Sequence, residues 1–114
     1  PRKTRMKIIR YRDPLGAVGF ARDEGGGAFT RLSGGLYDGL RPTGEPVAIA
    51  KLLAPVAPTA ILCIGLNYRQ HAAETGATPP EQPILFVKGV NTLQHPGEPI
   101  ALPRAMRSDE VDYE

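Results

Sequence analysis

The sequence predicts a mainly β fold of the α+β class, with one short helix and many tight turns. Its 114 residues are 41% hydrophobic, which is enough to build a core, but they include 13 Gly and 12 Pro that interrupt the apolar runs. In the first third of the chain, short runs rich in β-branched and aromatic residues alternate with clusters of Gly, Pro and Asp, the pattern of β-hairpins. No apolar run approaches the ~20 residues needed to cross a bilayer, so no membrane partner is expected.

The N-terminal half is predicted to form a small β-meander domain over residues 1–58. Residues 33–46 contain so many Gly and Pro that at most one turn of helix is expected there. The apolar segment 47–53 is compatible with a strand or a short helix, because its periodicity decides neither. Pro55 and Pro58 mark the end of the domain. The meander strands are expected at residues 6–12, 17–21 and 28–32.

Residues 59–114 are predicted to open a second β-rich domain. The continuous apolar run 60–66 is typical of a strand that is buried on both faces. Asn67 is expected to cap a short helix over residues 68–74, and Gly76 is expected at the C′ position of that helix. Further strands are expected at residues 84–88, 100–102 and 110–114.

Positive charge is concentrated at the N-terminus, although the formal net charge of the chain is only +2. Such a stretch is compatible with a non-enzymatic binding module for nucleic acid or an acidic partner. Few aromatic residues accompany it, so the solvated face of a first strand is the favoured interpretation and no nucleic-acid partner is expected. The stretch consists of Arg2, Lys3, Arg5, Lys7, Arg10 and Arg12, with no acidic residue among them.

A single cysteine, Cys63, lies in the apolar run of the strand predicted at residues 60–66. One thiol cannot form an internal disulfide, and a cysteine-rich zinc site is excluded. A cysteine in such a run is most often a small buried hydrophobic residue. The cysteine content therefore favours a reducing, cytoplasmic location.

His71 and Glu74 are the first residues that suggest chemistry. They are three positions apart on the predicted helix, so their side chains share one face and can touch. A carboxylate beside an imidazole fixes the imidazole tautomer and supports it as a general base. The same spacing is also found in ordinary surface pairs and in metal-ligand pairs, so the spacing alone leaves these alternatives open.

Charged residues at two further predicted strands are candidate ligand-binding groups. Lys88 ends the apolar run of residues 84–88, where its ammonium group either meets an anionic substrate or extends into solvent. Near the C-terminus, strand alternation puts Asp112 and Glu114 on one face. Carboxylates suit a hard cation such as Mg²⁺, but two of them are too few to hold it well.

Four spaced segments of the second half form one pattern: GLNYRQHAAE (65–74), PPEQPILFVKG (79–89), HPGEPIALP (95–103) and VDYE (111–114). Together they resemble the fumarylacetoacetate hydrolase family, a group of Mg²⁺- or Mn²⁺-dependent enzymes that act on dicarbonyl compounds and 2-oxo acids. The resemblance covers residues 59–114, whereas residues 6–58 only weakly resemble the family's smaller N-terminal domain. It implies a cytoplasmic hydrolase, isomerase or decarboxylase of aromatic-compound breakdown whose reaction passes through an enolate.

The resemblance also implies a role for each matching residue. His71 and Glu74 correspond to a catalytic dyad on a mobile lid helix, in which the glutamate supports the histidine as a base. Asn67 and Tyr68 correspond to the residues at the start of this lid, which bind substrate. Lys88 corresponds to a substrate-binding lysine that faces the active-site cavity.

The cofactor that the resemblance implies is Mg²⁺ or Mn²⁺, with Glu114 as the first carboxylate of a metal pair on a strand. The sequence stops before the second carboxylate. One carboxylate cannot complete a near-octahedral oxygen shell, so we expect a truncated catalytic domain that is inactive alone. The implied partners are a small 2-oxo acid or dicarbonyl substrate, and a second copy of the chain in a homodimer or the remainder of the catalytic domain.

Overall fold

A computed structural model of the chain describes residues 6–105 and residue 107. Their regular structure is mainly β, as the sequence predicts, with one short α-helix and one 3-10 turn at Val90–Thr92. None of the helices described is long and apolar enough to span a membrane. The elements in chain order are β1 Lys7–Arg12, β2 Val18–Gly25, β3 Ala28–Ser33, β4 Arg41–Pro46, β5 Lys51–Leu53, β6 Ile61–Gly65, α1 Arg69–Glu74 and β7 Ile84–Lys88.

The first five strands form one antiparallel sheet in the spatial order β4-β3-β2-β1-β5. In the turn between β1 and β2, the Asp13 carboxylate accepts hydrogen bonds from the backbone N–H groups of Leu15 (2.9 Å) and Ala17 (2.8 Å). An aspartate side chain often stabilises a turn by accepting hydrogen bonds from backbone N–H groups a few residues later in the chain. Strands β1, β2 and β3 confirm the predicted meander, and β2 continues to Gly25, beyond its predicted end.

The two edge strands of this sheet differ from the prediction. β4 lies within residues 33–46, where the high Gly and Pro content predicts at most one turn of helix and no strand. It is exposed along its whole length and pairs on one side only, which allows an edge strand to accept Pro42 and Pro46. At the opposite edge, the segment 47–53 forms a strand only at its end, where β5 pairs with β1.

The core of the five-stranded sheet lies around Tyr11, the largest fully buried side chain among the described residues. Tyr11 faces Gly19 on β2, and a Cβ atom at Gly19 would lie 3.3 Å from the Tyr11 hydroxyl oxygen. The glycine therefore makes room for the aromatic ring. The other buried apolar residues of this half are Ala21, Leu32, Leu53 and Ala54.

The second sheet contains only β6 and β7, paired antiparallel. β7 has the bounds that the sequence predicts. The expectation that β6 is buried on both faces is wrong for the described residues, since no third strand pairs with this sheet and one of its faces is open. The side chains on the open face are Leu62, Ile64, Leu85 and Val87, which are 65%, 43%, 63% and 69% exposed.

Helix α1 begins one residue later than predicted. Tyr68 occupies the N-cap position with extended backbone angles, and no side chain caps the helix, so the expected Asn67 cap is wrong. The C-terminal prediction is confirmed, because Gly76 adopts a left-handed backbone with φ of 67°. The N–H of Gly76 bonds the carbonyl of Ala73 (3.1 Å), and the N–H of Ala77 bonds that of Ala72 (2.8 Å), which is a Schellman motif.

The chain after β7 returns to the five-stranded sheet. Pro96 and Gly97 form a turn, and the flanking His95 and Glu98 contact the region of β5. Residues 100–102, predicted as a strand, have no strand structure, because no ladder partner pairs with them within the described part of the chain. The strand predicted at 110–114 lies outside the described residues, and the division into domains 1–58 and 59–114 stays a prediction.

Candidate functional site

A groove of about 960 Å³ opens between the end of β6 and helix α1. Four of the residues singled out from the sequence line it together: Asn67, Tyr68, His71 and Glu74. The remaining lining residues are contributed by β6, by the residue that follows it, by the first turn of α1 and by β7: Cys63, Ile64, Gly65, Leu66, Arg69, Gln70 and Phe86.

The backbone of Leu66 sets the direction in which α1 leaves β6. Leu66 has φ of 49°, and it is the only non-glycine residue with positive φ in the described part of the chain. For a residue with a Cβ atom, the left-handed conformation is less stable than the right-handed one by roughly 1–2 kcal/mol. Asn67 and Tyr68, which follow Leu66, line the groove together with residues of α1.

His71 and Glu74 are both exposed and line the groove, but no hydrogen bond or ion pair joins their side chains. Glu74 Oε1 instead accepts a hydrogen bond from Gln70 Nε2 at 3.2 Å. The backbone of His71 is fixed, because its carbonyl oxygen accepts bonds from the N–H (3.2 Å) and the hydroxyl (3.1 Å) of Thr75. The imidazole therefore sits on an ordered turn and is open to a ligand in the groove.

Lys88 lies beside the groove and is not one of its lining residues. It shares a face of β7 with Phe86, and its Nζ atom lies 5.9 Å from the centre of the Phe86 ring, a cation–π distance. Phe86 is directly opposite Cys63 on β6, and both line the groove. Lys88 therefore lies on the face of the sheet that carries the groove residues Cys63 and Phe86.

Glu114, predicted as a metal ligand, lies outside the described residues. Residues 6–105 and 107 contain no cluster of three or more His, Cys, Asp and Glu side chains that is able to hold a metal ion. Mg²⁺ demands several oxygen ligands in near-octahedral geometry. The described residues alone do not fit such an ion, so a site at Glu114 requires ligands from other residues.

Sequence reasoning missed Arg69, Gln70 and Phe86 as groove residues. Gln70 was recognisable from its spacing of four residues to Glu74, which puts both on one helix face. Phe86 was recognisable from strand alternation with Lys88. Arg69 has no periodic signal; it is the only lysine or arginine of the segment 65–74.

Comparison with known proteins identifies relatives of this chain. A family model described as fumarylacetoacetate (FAA) hydrolase C-terminal matches residues 60–114. A fumarylacetoacetate hydrolase domain-containing protein 2 homolog of Dictyostelium discoideum is 45% identical over 69 residues, which are 60% of this chain and 22% of that protein. No solved structure matches the chain significantly.

Two further relatives carry the name of an activity. The mitochondrial oxaloacetate tautomerase fahd2 of Xenopus laevis is 42% identical over 64 residues, 55% of this chain and 19% of that protein. The mitochondrial oxaloacetate tautomerase fahd-1 of Caenorhabditis elegans is 51% identical over 45 residues, 40% of this chain and 21% of that protein. The chain spans about a fifth of the length of the curated relatives it matches.

Proposed function

Because this chain belongs, through residues 60–114, to the fumarylacetoacetate hydrolase family, we propose that it is part of an enzyme that acts on 2-oxo acids or related dicarbonyl compounds. The observation that carries the proposal is the groove, since Asn67, Tyr68, His71 and Glu74 all line it. The tautomerase names of two relatives favour keto–enol isomerisation, with oxaloacetate as a candidate substrate. Hydrolysis of a carbon–carbon bond and decarboxylation pass through the same enolate and remain alternatives within the proposal.

The central step is a proton transfer by His71. The imidazole takes a proton from the carbon next to the 2-oxo group, the electron pair of that C–H bond forms a C=C bond, and the carbonyl π pair moves to the oxygen. Return of a proton to the oxygen gives the enol, so the tautomerisation neither gains nor loses atoms. A positioned base of this kind contributes ~10²–10⁴ in rate.

Glu74 is the positioning residue for His71 in this proposal. Its spacing of three residues on α1 allows contact with the imidazole once it releases Gln70. Asn67 and Tyr68 lie at the start of the lid, where the chain enters α1, and would hold the substrate. Lys88, on the same face of the sheet, would neutralise a substrate carboxylate or the developing enolate.

We further propose Mg²⁺ or Mn²⁺ as the cofactor of the complete polypeptide, with Glu114 as one ligand and other carboxylates from residues beyond those described. Such an ion supplies Lewis-acid stabilisation of an enolate oxygen. The open face of the β6–β7 sheet supports an association, either as a homodimer or with the remainder of the catalytic domain. The 114-residue chain alone is proposed to be inactive.

An alternative is a non-enzymatic binding module that uses the basic N-terminal strand. The structure gives it little support, since Lys7 is paired with Asp23 at 2.7 Å and Arg10 donates a hydrogen bond to the Ala54 carbonyl oxygen at 3.4 Å. These contacts leave fewer cations available for an acidic partner. The alternative predicts binding that weakens steeply with salt and does not depend on divalent metal.

The test is a His71→Gln substitution in the complete polypeptide that includes this chain. We expect exchange of the C3 hydrogens of oxaloacetate with D₂O, followed by NMR, to fall by ~10²–10⁴ while the fold is kept. His95→Gln, which changes the other histidine of the sequence, is the matched control and should retain exchange because His95 lies outside the groove. Unchanged exchange in His71→Gln would remove this residue from the mechanism.

A further inference from the structure

Arg69 is a basic side chain in the groove that the proposed mechanism does not use. It is the first residue of α1 and lines the groove together with His71 and Glu74. It also lines an adjoining depression of about 250 Å³, whose far wall is the segment 79–83. Among the described residues that line either depression, Arg69 is the only lysine or arginine. It therefore supplies the positive charge where the two depressions meet.

No acidic side chain pairs with the Arg69 guanidinium within the described part of the chain. Glu74, which shares the groove, accepts a hydrogen bond from Gln70 instead. Glu81 lies in the wall of the smaller depression but forms no ion pair with Arg69. Other basic residues are neutralised by a nearby carboxylate, namely Lys7, Arg22, Arg31 and Lys51.

The guanidinium group has a definite preference among ligands. It is always protonated, and its planar fork of N–H groups matches a carboxylate with two parallel hydrogen bonds. Residues on a helix are ~100° apart, so Arg69 and His71 leave α1 about 200° from each other. A ligand that reaches both side chains must therefore present its exchanging carbon to His71 and carry an acidic group on the side of that carbon that faces Arg69.

We propose that Arg69 binds the remote carboxylate of a dicarboxylic 2-oxo acid and thereby makes the enzyme prefer dicarboxylic to monocarboxylic substrates. The inference rests on the proposed function of the groove. His71 acts at the carbon next to the oxo group, and Arg69 holds the carboxylate on the far side of that carbon. Arg69 is thus a specificity-determining residue that binds substrate without taking part in the proton transfer.

The test compares two substrates that differ only at the remote end. Oxaloacetate carries a carboxylate there, and 2-oxobutanoate carries a methyl group. Hydrogen exchange at C3 is followed by NMR in D₂O, and kcat and KM are measured for the complete polypeptide and for Arg69→Gln. We expect the substitution to lower the ratio of kcat/KM for oxaloacetate to that for 2-oxobutanoate by ~10-fold, mainly by raising KM for oxaloacetate.

Two further variants complete the test. Arg69→Lys keeps the charge without the planar fork and should restore part of the preference. Arg41→Gln removes an exposed arginine from β4, outside both depressions, and should leave the ratio unchanged. Because Arg69 is exposed, the variants should unfold at the temperature of the unmodified protein. If Arg69→Gln fails to fold, the KM change in Arg69→Lys decides the question.

The outcomes separate this inference from the proposed function. An unchanged substrate ratio in Arg69→Gln, or an equal loss for both substrates, would overturn the assignment of Arg69. If Arg69→Gln gives either of these results but His71→Gln abolishes exchange, only the assignment of Arg69 is overturned and the proposed function stands. Full exchange in His71→Gln would instead overturn the proposed function, whatever Arg69→Gln does.

Discussion

The backbone N–H of Ala54 donates a hydrogen bond to Nδ1 of His95 over 3.0 Å, across 41 residues of sequence. Beside it, Lys51 on β5 forms an ion pair with Glu98. These two contacts fix the turn after β7 against the edge of the five-stranded sheet. The turn therefore ties the strand that carries Lys88 to the N-terminal half of the chain.

Replacing His95 with Ala should destabilise the fold. The substitution leaves the N–H of Ala54, a residue that is only 2% exposed, without its acceptor. A buried unsatisfied donor costs about 1–3 kcal/mol, which urea unfolding of the complete polypeptide should detect. His95→Asn retains an acceptor and should lose less. The exposed His71 is the control, since His71→Ala should change the free energy of unfolding by no more than about 0.5 kcal/mol. Equal effects at both histidines would contradict the stabilising role of the hydrogen bond between Ala54 and His95.

Gly19 and Tyr11 should be energetically coupled. A Val side chain at Gly19 would meet the Tyr11 ring, whose hydroxyl oxygen lies 3.3 Å from the position of an added Cβ atom. Overpacking of this kind costs roughly 1–3 kcal/mol. In a double-mutant cycle, Tyr11→Phe removes the closest contact and should reduce the cost of Gly19→Val. Additive free energies of unfolding would show that the Tyr11 hydroxyl does not restrict this position.

Acid should weaken the link between β1 and β2. Hydrogen bonds from Lys7 and from the backbone N–H of Gly25 hold the pKa of Asp23 below its ordinary value of 3.8. A carboxylate whose pKa is lowered in the folded state stabilises the fold above its unfolded pKa, and this stabilisation disappears as the pH falls through the folded pKa. In Lys7→Met the pKa of Asp23 should rise, and the loss of stability below about pH 4 should become smaller.

An NMR titration of the Asp23 carboxyl carbon measures this change directly. Lys51→Met is the matched control, because Lys51 lowers the pKa of Glu98 and does not contact Asp23. The control should raise the pKa of Glu98 alone. A pKa of Asp23 that does not move in Lys7→Met would mean that the ion pair at 2.7 Å contributes nothing in solution.

Removal of divalent metal should abolish the proposed activity of the complete polypeptide. We expect a chelator to stop hydrogen exchange at C3 of oxaloacetate, and Mg²⁺ or Mn²⁺ to restore it. Glu114→Gln should raise the metal concentration needed for half-maximal activity, because a neutral amide is a weaker ligand than a carboxylate. His71→Gln should bind metal normally. Activity that persists after exhaustive chelation would refute the metal dependence.

Local signals in the sequence predicted several elements well. β7 has its predicted bounds because a β-rich run lies between Pro83 and Gly89, both of which interrupt strands. Gly76 was predictable because a helix C-terminus needs a residue that tolerates positive φ. The pair His71 and Glu74 was found from its spacing and its side-chain chemistry, which do not depend on the surrounding fold, whereas Asn67 and Tyr68 were singled out only through the family resemblance.

Features that depend on distant parts of the chain were not predictable in the same way. β4 forms because β3 offers it a ladder, although its own composition disfavours a strand. The exposure of Leu62 depends on what covers β6 and not on the sequence of β6. The role of the Arg69 charge can be inferred only from the folded structure, because Arg69 lines two depressions that other parts of the chain help to form.

The backbone of Leu66 limits which changes the groove can tolerate. Glycine at this position would relieve the steric conflict, but it would also let the corner between β6 and α1 pivot. A β-branched residue would make the conflict worse. Leucine is thus less stable locally than glycine would be, but it restricts the angle between β6 and α1. The width of the groove, which a ligand must fit, is restricted with that angle.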